Sequence, residues 1–241
     1  MSFSLFISDL HLAPDTPAAN EALLNFLEQT APSADALYVL GDLFEYWIGD
    51  DGLEHPFART IAQAFRKLSD GGAPSYFMHG NRDFLIGSRF ARESGMKILD
   101  DPTVVNLYGR PTLLMHGDTL CSGDVEYQKF RAMVRNPSWQ QAFLAKPLAE
   151  RARVAQNVRG QSEQAKQGKD MAIMDVTPAT VEEVLRSHAY PRLIHGHTHR
   201  PARHEHIVDG QTCERWVLAA WYEQGSYLSC DASGCRAVPV N

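Results

Sequence analysis

Five short polar clusters carry the residues of this chain best suited to chemistry: Asp9-Leu10-His11, Gly41-Asp42, Gly80-Asn81-Arg82-Asp83, His116-Gly117-Asp118 and Gly196-His197-Thr198-His199. Together they supply seven oxygen and nitrogen donors, enough to hold two divalent metals side by side. Carboxylate, amide carbonyl and imidazole donors suit a moderately hard ion such as Mn²⁺, with Zn²⁺ or Fe²⁺ also accommodated; the lack of thiolates argues against a structural zinc site. Asp9 and His11 stand two apart, so an extended strand end would put both on one side. His197 and His199 can reach toward two metals from one turn, and Asp42 is the obvious carboxylate to stand between the cations and offset their repulsion. Two metals about 4 Å apart would activate a bridging water near neutral pH and neutralise charge on a phosphoryl group during in-line attack. Phosphoester hydrolysis is the chemistry such a set serves best.

The clusters need elements to position them, and each follows a short apolar run. Leu5-Ile7, Ala36-Leu40, Tyr76-Met78, Thr112-Met115, Leu193-Ile194 and Trp216-Ala219 read as strands. Helical spacing lies between several of them, in Ala22, Leu23, Phe26 and Leu27 and again in Phe57, Ile61, Phe65 and Leu68. This alternation predicts an α/β fold with at least partly parallel sheets. Ligands of such folds collect beyond the carboxyl ends of strands, where all five clusters fall, so residues distant in sequence can converge. Ordinary turn chemistry accounts for one or two Asp, Asn and Gly clusters but not for three that bear histidine.

At 241 residues and 44% hydrophobic, the chain can bury a sizeable core, and 1–241 reads as a single domain. Between about 124 and 170 the strand pattern gives way to helix formers, with apolar Phe130, Met133, Val134, Phe143, Leu144 and Leu148 and with Pro137 and Pro147 as helix starts or breaks. This is read as a helical insertion on the α/β core. From Lys129 to Lys169 it carries nine Lys/Arg against two acids, a local balance of +7 within a chain at −6, which suits an anionic partner. The apolar run needed for a membrane span is missing, as is the basic start of a signal peptide, so the expected location is the cytoplasm. Cys121, Cys213, Cys230 and Cys235 show neither disulfide density nor C-x-x-C spacing and read as free thiols.

The order D-x-H, G-D, G-N-x-D, H-G-D, G-H-T-H resembles the calcineurin-like metallophosphoesterase superfamily. That resemblance implies a β-sandwich core flanked by helices. It implies one metal held by Asp9, His11, Asp42 and His199 and a second by Asp42, Asn81, His116 and His197. It leaves His195 as a structural histidine, Asp83 as an orienting group and Asp118 as a turn cap. Many members have histidine after Gly-Asn, where it assists an alkoxide leaving group; here the residue is Arg82. A guanidinium does not give up its proton but binds phosphate oxygens bidentately, which favours a leaving group that needs no protonation. Pyrophosphate cleavage meets that condition.

A narrower resemblance runs nearly end to end, through Tyr38–Asp51, His79–Leu85, Phe90–Met96, Met115–Cys121, Ile173–Val176 and Ile194–Pro201. These segments look like the UDP-2,3-diacylglucosamine pyrophosphohydrolase family of lipid A biosynthesis. The family implies hydrolysis of UDP-2,3-bis(3-hydroxyacyl)glucosamine by metal-activated water attack on the α-phosphorus, giving UMP and 2,3-diacylglucosamine 1-phosphate, with two divalent ions, usually Mn²⁺. Asp9, His11, Asp42, Asn81, Arg82, His116, His197 and His199 would form the catalytic set. Asn81, Arg82, Asp124, Ser162, Lys166, Lys169 and His197 would contact substrate, and the insertion would cap the site and shape an apolar chamber for the acyl chains. An apolar face bordered by basic residues also suits peripheral association with the cytoplasmic face of the inner membrane. No nucleic-acid partner and no obligate protein partner are expected. The competing readings are a metallophosphoesterase acting on another nucleotide pyrophosphate or phosphodiester and, from a different class, a non-catalytic scaffold.

Overall fold

The computed structural model describes residues 2–167 and 175–240, leaving the side chains of 161–167, 223 and 224 outside the description. Eleven strands form two sheets among the described residues. The strands are β1 (Ser4–Ile7), β2 (Ala36–Leu40), β3 (Ser75–Met78), β4 (Lys97–Leu99), β5 (Thr103–Leu107), β6 (Arg110–Leu114), β7 (Arg192–His195), β8 (Ala202–Val208), β9 (Gln211–Val217), β10 (Ser226–Asp231) and β11 (Gly234–Pro239). The first sheet runs β11-β10-β1-β2-β3-β4 and the second β5-β6-β7-β9-β8. β1 through β4 pair in parallel, as do β6, β7 and β9, while β10, β11, β5 and β8 add antiparallel neighbours.

Strand alternation explains the layering. Phe6, Leu40 and Met78 of the first sheet pack with Leu114 and Ile194 of the second, forming the seam between the sheets. Their neighbours in sequence turn the other way. Leu5, Ile7, Leu37, Val39 and Phe77 pack beneath α1 (Pro17–Gln29), α2 (Pro56–Asp70) and α3 (Ser88–Ser94). Leu113 and Leu193 pack with Val181 and Leu185, which lie on the helix Pro178–Ser187. Each central strand is therefore apolar on both faces, as a sheet covered on both sides requires. Most of the predicted helical spacing is buried, Leu23, Phe26 and Leu27 in α1 and Ile61, Phe65 and Leu68 in α2, while Ala22 and Phe57 are only partly buried against the same core.

The helical stretch after β6 consists of α4 (Val125–Val134), α5 (Pro137–Leu144) and α6 (Leu148–Gln167), followed by α7 (Pro178–Ser187). Pro137 occupies the first turn of α5, where its missing N–H costs nothing, and Asn136 caps that helix by accepting from Ser138 N (2.9 Å). Three of its basic residues are spent on the core. Arg151, 3% exposed, donates to Asp51 and to the Ile48 carbonyl, Arg135 donates to Gly80 O (2.8 Å), and Arg131 pairs with Asp118 (2.7 Å). No helix among the described residues is long and apolar enough to cross a membrane.

The expectation of four free thiols fails. Cys230 and Cys235 form a disulfide, whereas Cys121 and Cys213 are free and buried. The pairing arises because the two residues face each other in the register of the tight β10–β11 hairpin, a proximity that their sequence spacing did not reveal.

Candidate metal centre

The five clusters follow β1, β2, β3, β6 and β7, whose carboxyl ends point the same way within each sheet and meet at the seam. The loop backbones are zipped together as they leave the strands. Asp9 N donates to Gly41 O (3.1 Å), His11 N to Asp42 O (3.0 Å), and Trp221 N to Asp9 O (3.1 Å). Asp9, His11, Asp42, His197 and His199 all have positive φ, between 50° and 67°. The expected extended geometry at Asp9-Leu10-His11 is therefore replaced by left-handed backbone that coils the donors inward. Such conformations cost side-chain-bearing residues on the order of 1 kcal/mol or more each and persist when the surroundings fix them, which is common at functional sites.

Two glycines show how tightly the loops approach. A Cβ on Gly80 would lie 2.1 Å from Asp42 Oδ1 and 2.2 Å from Asp42 N, and one on Gly196 would lie 2.3 Å from Asp9 Oδ2. Any side chain at either position would displace a carboxylate of the cluster.

The donors gather into two adjoining groups. Asp9, His11 and His199 place ligand atoms within 4.8 Å of one another, as do Asp9, Asp42 and His116. Asp9 belongs to both, and Asp42 reaches a histidine of each, with Oδ2 3.7 Å from His11 Nε2 and Oδ1 3.8 Å from His116 Nε2. Asn81 Oδ1 lies 3.0 Å from His116 Nε2 and 2.9 Å from His197 Nδ1. All seven expected donors are thus brought together. Hydrogen bonds also orient the rings: His116 Nδ1 donates to Leu40 O (2.9 Å), and His11 Nδ1 donates to Glu45 Oε2 (2.8 Å), leaving the Nε2 atoms facing the cluster.

The electrostatics favour added positive charge. Burial alone lowers the His116 pKa, but Asp42, Asp118 and Asp9 outweigh it and push the imidazole up to about 9. Burial works against ionisation of Asp9, yet a hydrogen bond from His199 and the charges of His116, His199 and His11 hold it well below the usual carboxylate range. His197 goes the other way, to about 4, through burial and the neighbouring His116 charge. A largely buried cluster of two carboxylates and convergent neutral donors fits divalent cations, which would take the place of the proton drawn to His116.

The surrounding residues refine the expected roles. Asp83 is buried and accepts from Leu43 N (2.7 Å) and Gly80 N (2.9 Å), tying the second loop to the third. Asp118 does not cap its turn with its side chain; that carboxylate instead accepts from Tyr127 OH and Arg131 Nε, both at 2.7 Å, because α4 lies over it. His195 is buried, lies against Gly196 O (2.9 Å) and Arg215 (3.1 Å), and is lowered to about 3 by burial and that guanidinium. Burial, then Asp175 and Asp118, raise the Cys121 thiol to about 12, so it offers no thiolate. Asp124 caps α4 through Tyr127 N (3.2 Å). Lys169 lies outside the described residues, as do the side chains of Ser162 and Lys166. Glu45 and Tyr222, which contact His11 and His199, escaped the sequence reading because neither stands at a ligand spacing.

Beside Asn81 and Arg82 opens a cavity of about 410 Å³. One wall comes from the core loops, including Glu45, Trp47 and Phe84; the other comes from the helical stretch, including Phe130, Val134, Trp139, Phe143, Val154 and Arg159. Arg82 Nε is buried there without a hydrogen-bond partner. A polar end beside the metal donors thus grades into an apolar chamber.

The sequence model of the calcineurin-like phosphoesterases matches residues 4–201. A UDP-2,3-diacylglucosamine hydrolase of Aromatoleum aromaticum is 52% identical over 231 residues, covering 96% of this chain and 94% of that protein. Proteins of the same name from Stenotrophomonas maltophilia (51% identical, 96% of each chain) and Escherichia coli (52% identical, 98% of each chain) align over similar spans. With the donor sets converged at the strand ends and the match spanning almost the whole sequence, the chain belongs to the calcineurin-like phosphoesterases and, among them, to the UDP-2,3-diacylglucosamine hydrolase family.

Proposed function

We propose that this enzyme hydrolyses the pyrophosphate bond of UDP-2,3-bis(3-hydroxyacyl)glucosamine through attack of water on the α-phosphorus, giving UMP and 2,3-diacylglucosamine 1-phosphate in lipid A biosynthesis. The observation that carries the reading is the continuity between the donor cluster and the apolar chamber, joined at Asn81 and Arg82. A diacylated sugar nucleotide has that same polarity profile.

Asp9, His11, Asp42 and His199 would hold one divalent ion, and Asp42, Asn81, His116 and His197 the other, with Mn²⁺ suited to the donor set. When bound, such a pair lowers the pKa of water and neutralises phosphoryl charge. Arg82 lines the cavity beside Asn81, where its guanidinium would bind a phosphate oxygen and stabilise charge on the departing sugar phosphate. Because that leaving group is already a weak base, no proton donor is required at position 82. Asp124, Ser162, Lys166 and Lys169 are the further substrate contacts in this reading. Phe130, Val134, Trp139 and Phe143 would exclude water from the acyl end.

The exposed apolar side chains of Val125, Met133, Leu144 and Leu148, on α4 to α6, support a peripheral approach to the cytoplasmic face of the inner membrane. Hydrolysis in ¹⁸O-water tests the attack: label is expected in UMP. Label in the sugar phosphate would reject attack at the α-phosphorus, and no turnover of the diacylated substrate would reject the function.

A further inference from the structure

Glu45 stands at a junction to which the metal-ligand reading assigns no role. Its backbone N–H donates to Leu12 O (3.0 Å), extending the contacts that zip the loop after β1 to the loop after β2, so Glu45 is carried to the side of His11 by main-chain register. Its side chain is 14% exposed. One oxygen, Oε2, accepts from His11 Nδ1 at 2.8 Å. The other, Oε1, lies 3.4 Å from Arg159 Nε on α6 and 3.7 Å from Arg82 Nη1.

We propose that Glu45 is a positioning residue that couples the metal donors to the substrate-facing arginines: one oxygen fixes the His11 ring while the other gathers Arg82 and Arg159 at the mouth of the cavity. The inference rests on the proposed metal site. A neutral imidazole whose Nδ1–H is donated to a carboxylate presents its Nε2 lone pair outward and gains basicity as a ligand. His11 Nε2 faces Asp42 Oδ2 (3.7 Å) and His199 Nε2 (3.4 Å), the side where a cation would be held. Two of the other ligand imidazoles are oriented by neutral groups outside the donor set, His116 by the Leu40 carbonyl and His199 by the Tyr222 hydroxyl. At His11 the partner is a charge, and that charge is shared with Arg82, on the loop after β3, and with Arg159, on the helical stretch. The arrangement makes metal binding and arginine placement depend on one carboxylate.

The experiment compares wild type, E45A, E45Q and, as a reference, H11A in two measurements: Mn²⁺ titration followed by electron paramagnetic resonance of the free ion, and steady-state kinetics with the diacylated UDP-sugar. E45A removes both contacts and is expected to weaken one Mn²⁺ site roughly 10- to 100-fold while leaving the other near wild type. E45Q keeps an amide oxygen for His11 Nδ1 but loses the charge. It is expected to recover most of the Mn²⁺ affinity while its KM remains raised several-fold. Wild-type Mn²⁺ affinity at both sites of E45A would overturn the His11 half of the proposal, and wild-type KM in E45Q would overturn the arginine half. Circular dichroism checks folding, and should E45A not fold, E45Q decides alone: a loss of Mn²⁺ affinity as large as that of H11A would defeat the account. If the wild type itself binds no Mn²⁺, the metal reading fails first and is recognised by that control.

Discussion

The strand-end loops and the helical stretch α4 to α6 both face Asn81 and Arg82, but they are held by different physics. The loops are fixed by backbone. Main-chain hydrogen bonds run from Asp9 to Gly41 and from His11 to Asp42, five donor residues sit in left-handed conformation, and Gly80 and Gly196 allow carboxylates to approach within a Cβ's reach. The helices are fixed by side chains, through Arg131, Arg135 and Arg151 docked on core carboxylates and carbonyls and through aromatic packing such as Trp139 on Phe143, stacked at 5.0 Å. The difference teaches a division of labour. A ligand set needs positions that do not drift, which covalently restricted backbone supplies, whereas a chamber for a flexible ligand tolerates adjustable walls.

Breaking the backbone-held side should have the largest effect. His116→Ala removes a fully buried donor and is expected to lower kcat/KM at least 1,000-fold with little loss of folded protein, as metal assistance is withdrawn. Residual activity within tenfold of wild type would remove His116 from the site. Gly80→Ala should act nearly as strongly by a different route. Its methyl group collides with Asp42, so activity is expected to fall ~100-fold and stability by ~2 kcal/mol, read by urea unfolding and turnover together. An unperturbed G80A enzyme would show that the loops can yield after all.

Breaking the side-chain-held region should separate stability from chemistry. Arg151→Ala strips the buried guanidinium that joins α6 to Asp51 and Ile48, and a loss of ~2 kcal/mol is expected, with kcat for a short-chain analogue changed less than threefold. Equal losses for short- and long-chain substrates would instead make the helix part of the chemistry.

The smallest effect sharpens the comparison at the joint between the two regions. Asp101 is buried with both oxygens lacking hydrogen bonds, and Arg131 is 4.0 Å away. Burial, reinforced by Asp118, raises its carboxyl to about 6 from 3.8. A raised folded-state pKa means that its stabilising contribution is complete below pH 3.8 and lost as pH rises through 6. Asp101→Asn, which stays neutral, should therefore stabilise the protein at pH 8 by ~1 kcal/mol, with the gain fading toward pH 4. A gain that did not depend on pH would assign the effect to packing instead.

Much of this architecture was legible in the residues. Six strands and the faces of α1 and α2 follow from apolar periodicity, because core burial imposes it directly. β4, β5, β8, β10 and β11 were not anticipated: β8 is largely exposed and mixes His, Glu and Arg, and the outer β11 strand buries none of its residues, so their pairing partners rather than their composition make them strands. The seven donors could be found because metal ligands require particular atoms in a recognisable order. Glu45 and the docking arginines could not, because a carboxylate 34 residues from its partner or a guanidinium 100 residues away leaves no periodic signal.

By itself, the sequence determined the donor chemistry, the α/β alternation and an arginine after Gly80-Asn81 that cannot act as an acid, all consequences of side-chain type and near-neighbour spacing. The tertiary structure alone decided that Asp118 holds α4 rather than its own turn, that Cys230 meets Cys235, and that Arg131, Arg135 and Arg151 of the helical stretch are turned onto the core. The physical reason is range. Periodicity and residue type act over a few bonds, while hydrogen bonds and ion pairs join whatever the folded chain brings within about 3 to 4 Å.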